Sequence, residues 1–258
     1  MTSFIWWRSP EEAYSNPYEY EAQEQFAREA EHLLKVVFNF LMKRNRTYKR
    51  DDRSQEKAIW MLFVDGIETL RDCLSLLVTK KHRLASRLFR DAVETMDLAT
   101  YFYGNDQEKV NYLNKWYDNH VVPNRIFRKH ISDTGFSELS NAYKEIYSQL
   151  SKLNHRTYRS LAYSYLLGRD EMLVYEDEFD NNGFLKLPHP ISMYYALLAE
   201  IITRYTDRLV ECYLASSKEM EKMWTSALEP LTVPRRFMDS KKYYEMRIKQ
   251  IQKDDDIT

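Results

Sequence analysis

Four polar residues crowd one joint of the chain: Asn154, His155, Arg156 and Arg159, within LSKLNHRTYRSLAY from Leu150 to Tyr163. An apolar helical stripe stops at Asn154 and restarts at once. Asn is a good N-cap, because its side-chain oxygen accepts from amides that the first helical turn leaves unpaired. His155 would then stand at a helix N-terminus, where the dipole favours a neutral imidazole that can take a proton as a general base. Arg159, one turn along on the same face, would stabilise a phosphate or a developing negative charge. The plainer alternative is a capped joint with a surface histidine beside two solvated arginines.

A second constellation is helical. Arg83, Arg87, Arg90, Glu94 and Asp97 step by four, three, four and three, so they share one face, opposite an apolar stripe. Arg87 with Asp91, and Arg90 with Glu94, have the i,i+4 spacing of ion pairs, each worth about 0.3–0.5 kcal/mol when exposed. A solvated face is one reading. The other is an Arg/Glu cluster lining a groove against the helix that follows Asn154. Basic residues with an aromatic recur in KRNRTYKRDDR (Lys43 to Arg53) and RIFRKH (Arg125 to His130), where cations would meet phosphates while Tyr48 or Phe127 stacks on a base.

Other chemistry finds little support. Glu29 and His32 form a single Glu-x-x-His, but a di-iron bundle needs a second such pair and two more glutamates. There is no GxGxxG, Walker loop, CxxC, HExxH or Gly-x-Ser-x-Gly, so neither a cofactor nor a metal is expected. The net charge of −1 disfavours a strongly basic nucleic-acid binder, while leaving room for local patches.

The elements that would hold these residues are helices. Of 258 residues, 44% are hydrophobic and 30% charged, an ordinary globular balance. Five glycines and seven prolines make few turns, and 20 tyrosines supply large buried areas. Apolar periodicity predicts helices over 18–43, 55–78, 81–103, 106–117, 124–131, 135–153 and 191–216, the first three as an antiparallel bundle, with two more behind. Alternation in MLVYEDEFDNNGFLKLP predicts one small β-hairpin near 171–187, turning at Asn181 to Gly183. The fold class is thus an all-α multi-helix bundle with that insertion. It is read as a single domain over 1–258: core bundle about 18–216, N-terminal aromatic segment 1–17, and C-terminal helical extension 217–258. Two cysteines inside apolar patterns, no signal peptide and no apolar run of membrane length predict a cytoplasmic protein with no membrane contact.

The Arg-rich helix RLASRLFRDAVETMDLATYF (Arg83 to Phe102) and the later YSQLSKLNHRTYRSLAY (Tyr147 to Tyr163) carry a resemblance. Over Gln55 to Leu167 the chain resembles a bacterial family of uncharacterised helical proteins, distantly like the HEPN (higher eukaryotes and prokaryotes nucleotide-binding) domains. Many HEPN domains are metal-independent ribonucleases with an Arg separated from a His by four to six residues, and many dimerise. The resemblance therefore implies a role for Arg125 and His130, which have that spacing, and a homodimer. The chain departs from the pattern at Ile126, where the family has a polar residue, and before His155, where Ser148, Gln149 and Leu150 stand in place of the Arg.

The leading expectation is a HEPN-like helical protein acting through an interaction surface or an RNA-related groove, with Arg83, Arg87, Arg90, Glu94, Asn154 and Arg156 as binding residues. One alternative is a metal-independent endoribonuclease of toxin or defence type. There His155 or His130 is the base, and Arg159 or Arg125 stabilises the phosphate. The other is a structural or regulatory protein that binds a protein partner, with Trp6 and Trp7 in a docking segment.

Overall fold

A computed structural model describes residues 23–44, 46–79, 81–134, 147, 148, 150–152, 155, 158, 161, 165–167, 173–175 and 191–228. The described chain is all-α apart from two three-residue strands. The helices are α1 (Gln23–Met42), α2 (Gln55–Val78), α3 (His82–Phe102), α4 (Gln107–Tyr117), α5 (Asn124–Thr134), α6 (Ile191–Glu211) and α7 (Ser217–Leu228).

Helix α2 starts where its sequence supplies a cap. The Ser54 hydroxyl accepts from Lys57 N at 3.2 Å, and Asp52 in turn accepts from Ser54 N at 2.8 Å. Helix α3 runs back along α2. Gln55 Nε2 donates to Phe102 O, Gly66 faces Met96, and the Cys73 thiol reaches Ala85 O, so contacts advance on one helix as they retreat on the other. Helix α1 is likewise antiparallel to α2, with Arg71 over Phe38 at one level and Arg46 over Trp60 at the next.

Helix α6 closes the bundle against α1, α2 and α3. Its predicted inward set, Tyr195, Leu198, Ile201, Ile202, Tyr205, Leu209 and Cys212, is buried throughout. Tyr205 donates to Phe63 O at 2.6 Å while its ring meets Phe63 edge-on. Burial of that kind stabilises by about 1.5–3 kcal/mol per large side chain.

Gly66 lies at this crossing, and an added Cβ would sit 3.6–3.9 Å from Tyr205, Met96 and Thr95, ordinary contact distances. Gly66→Ala should therefore stabilise the protein by about 0.5–1 kcal/mol through helix propensity. Thermal unfolding checks this, and a lower melting temperature would contradict the packing described.

Helix α6 ends at Glu211 instead of near Ser216. Leu214 N bonds back to Leu209 O and Tyr213 N to Val210 O, with Tyr213 in the left-handed region at φ 52°. That is a Schellman stop. Helix α7 then restarts on a capping box, because Glu219 accepts from Ser216 N and Oγ at 2.8 Å while Ser216 Oγ accepts from Glu219 N. Helix α7 returns to α1: Met220 and Met223 join the core, and Trp224 Nε1 donates to Thr206 Oγ1.

The hairpin expected across 171–187 is not supported. β2 (Leu173–Tyr175) pairs antiparallel with the preceding β1 (Tyr165–Leu167), Tyr165 opposite Tyr175. The Asn181–Gly183 turn lies outside the described residues, as do 1–22 and 229–258. Among the described residues no helix is long and apolar enough to cross a membrane.

Candidate functional site

The polar stripe of α3 is the face the sequence marks, and it is not a solvated one. Asp97 is 1% exposed, while Arg87, Arg90 and Glu94 are half-buried. An ideal helix brings positions 90, 94, 97 and 101 within about one quadrant. Helix α5 covers that quadrant, and α6 crosses α3 as well. Of the two readings, a solvated face or a packed groove, the structure has the packed one. The Arg83 side chain lies outside the described residues.

Glu94 is the hub. Its Oε1 accepts from Arg90 Nε at 2.8 Å and from the Tyr147 hydroxyl at 2.5 Å. Tyr147 is buried, and two guanidiniums sit over its ring: Arg128 with Cζ 3.5 Å from the centroid, and Arg90 at 5.2 Å. The hydrogen bond from Arg90 to Glu94, ahead of burial, holds the Arg90 pKa above its usual value. Burial, then Glu94, pushes the Tyr147 phenol up as well. Arg87 and Asp91, the other spacing-matched pair, make no ion pair among the described residues, and burial, ahead of Glu94, raises the Asp91 carboxyl.

One turn further along α3, burial pushes the Asp97 carboxyl up to about 8. Glu94 adds to the shift, while Arg208, Arg128 and Arg204 oppose it. Asp97 Oδ2 has no hydrogen-bond partner among the described residues. A buried carboxyl with an open oxygen is the costly state for a charge, so the neutral acid prevails at neutral pH.

The candidate bases lie elsewhere. His130 of α5 stands edge-on to Tyr101, with Lys109 Nζ 3.4 Å from its Nε2. A lysine ammonium only donates, so Nε2 is the acceptor in that contact. Arg125 is exposed, and a five-residue step on a helix turns about 140°, so Arg125 and His130 leave α5 in diverging directions. His155 is exposed, and its amide donates to Ser151 O at 3.0 Å. One of the four amides that a fresh helix start would leave open is thus bonded to the turn before it. Asn154, Arg156 and Arg159 lie outside the described residues.

No group of three or more His, Cys, Asp or Glu suited to a metal ion occurs among the described residues. His32 Nε2 donates instead to Ala227 O at 3.0 Å, joining α1 to the end of α7. A separate groove of about 880 Å³ lies between α1 and α2. Its rim balances Arg28, Lys35 and Arg71 against Glu31, Glu68 and Asp72, so it has no preference for an anion.

The sequence pattern marks Arg90, Glu94 and Asp97 on one face but gives no sign of Tyr147 or Arg128 as their neighbours. Tyr147 fell in an apolar stripe, where periodicity does not register its hydroxyl. The RIFRKH motif contains Arg128, but its Arg-to-His spacing singles out the outer Arg125 and His130. No family model, curated protein or solved structure matches this chain.

Proposed function

We propose that this chain is a HEPN-like helical protein that binds RNA, contacting phosphates at the Arg90–Glu94–Tyr147–Arg128 site without cutting them. The observation that carries it is Arg128. Arg128 is an exposed residue, its guanidinium is seated on the Tyr147 ring at 3.5 Å, and it makes no ion pair among the described residues. A fork of donors held on an aromatic face has lost much of its freedom before the ligand arrives, which favours phosphate. Arg90 beside it is largely committed to Glu94, so Arg128 is the group that meets the anion.

Two further features fit. Cys73 and Cys212 are free and buried, as suits a reducing, cytoplasmic setting. The homodimer that the resemblance implies belongs to the same proposal, and light scattering reads it directly.

The test is fluorescence anisotropy with structured RNA in EDTA. Arg128→Ala should weaken binding about tenfold and reduce the salt slope by about one. Wild-type protein that binds no RNA would overturn the proposal and move the search to protein partners. Cleavage of the RNA that is lost in His155→Ala or His130→Ala would replace it with the ribonuclease alternative.

A further inference from the structure

At one end of the bundle two exposed tyrosines stack on each other. Tyr103 is 37% and Tyr213 76% exposed, with ring centroids 5.5 Å apart and planes 29° from parallel. Tyrosine is an unexpected residue at position 213. The Schellman stop of α6 puts that position at φ 52°, where glycine is the default and a bulky side chain is strained. The corresponding stop of α4 uses Asn119 at φ 62°, an ordinary choice. The chain thus accepts backbone strain at Tyr213 to hold an aromatic ring in solvent.

The neighbouring loop is the basic linker. Arg44 Nε donates to Leu214 O at 2.6 Å, joining the start of the linker to the turn that carries Tyr213. Gln55 Nε2 donates to Phe102 O and Gly104 O, joining its far end to the residues on either side of Tyr103. Between these two ties stand Arg46, Lys49 and Arg50, with Lys43 just before. Lys43, Lys49 and Arg50 are exposed and Arg46 half-buried, and none of the four makes an ion pair among the described residues. Asp51 and Asp52 offset part of their charge, and the Asp52 carboxylate is held by Ser54.

We propose that this end of the bundle is a contact for single-stranded RNA. An unpaired base stacks on the free face of Tyr213, and its flanking phosphates meet Lys43, Arg46, Lys49 and Arg50. The inference rests on the RNA reading above and adds to it the form of the substrate. A ring face beside cations that make no ion pair among the described residues, Arg46 lying over Trp60, suits a nucleotide, which brings a planar base and an anion together. A base inside a duplex has no free face, so the strand must be unpaired. Tyr103, just past the end of α3, lies thirteen residues beyond Arg90, a rise of about 20 Å along the helix, so this contact is separate from the Arg128 site.

The experiment measures anisotropy of the full chain with an unpaired RNA oligonucleotide and with an abasic strand of equal length. Wild type should prefer the base-bearing strand by about fivefold or more. Tyr213→Gly, which suits the left-handed turn and so preserves the fold, should erase that preference, as should Tyr103→Ala. Equal binding of the two strands by wild type, or an unchanged preference in Tyr213→Gly, would overturn the inference. Arg128→Ala serves as the control: it should weaken both strands alike. If it changes nothing while Tyr213→Gly does, this contact stands and the Arg128 reading fails. If wild type binds neither RNA strand but binds vesicles of anionic lipid, or an aromatic-rich protein segment, both fail.

Discussion

Asp97→Asn is expected to make the protein more stable at pH 8–9, by about 2–4 kcal/mol, and to flatten its stability between pH 4 and 8. Unfolded, the Asp97 carboxyl ionises near 3.8, whereas in the fold burial moves it to about 8. Between those values the folded chain holds a proton that the unfolded chain has released. The native state binds more protons, so stability falls as pH rises through the window. The stabilising contribution is complete below pH 4 and gone above about 8, where the fold carries a buried anion. Arg208, Arg128 and Arg204 moderate that cost and Glu94 adds to it. Asparagine keeps the shape and does not titrate. Asp91 and Asp207 are also shifted upward, but they contribute equally to both proteins. Urea unfolding at pH 5, 7 and 9 isolates the difference. Parallel pH dependences for wild type and variant would show that Asp97 reaches solvent in the fold.

Residues 90 to 97 also show what a sequence can and cannot reveal about this site. Local helical rules found them: the three- and four-residue steps put Arg90, Glu94 and Asp97 on one face, and they share it in the fold. The same rules leave open whether the face is solvated or lines a groove, because periodicity distinguishes the two sides of a helix but does not say whether a second layer covers the polar side. That layer comes from α5 and α6, more than 20 and 90 residues downstream in sequence. Helix boundaries were legible where a cap supplied a local chemical cause, at Ser54 and Asp106. The end of α6 was not, because a tyrosine occupies the position where glycine would have announced the stop. Of the four polar residues at the Asn154 joint, only His155 lies among the described residues. The described geometry there, a His155 amide bonded back to Ser151, belongs to the preceding turn.

Glu94→Ala should separate the two roles of the candidate site, costing stability on the order of 2–3 kcal/mol without losing RNA affinity. Removing this carboxylate leaves the Tyr147 hydroxyl, on a residue only 4% exposed, with no acceptor. The Arg90 guanidinium, 25% exposed, can recruit water in place of Glu94, so most of the cost falls on Tyr147. A double-mutant cycle tests that assignment. Tyr147→Phe should cost about 1–2 kcal/mol in wild type and almost nothing once Glu94 is gone, because the hydroxyl then has nothing to lose. For RNA the sign reverses. A negative charge beside Arg90 and Arg128 disappears, so phosphate is attracted by two guanidiniums instead of by one and a neutralised pair. Binding at least as tight as wild type, measured well below the melting temperature, is the expected result. A loss of affinity as large as that of Arg128→Ala would mean that Glu94 itself contacts the ligand. The pH dependence provides an independent check, because Glu94 is one of the charges that raise Asp97. In Glu94→Ala the upper edge of the pH 4–8 window should move down, and adding Asp97→Asn to that variant should remove this pH dependence.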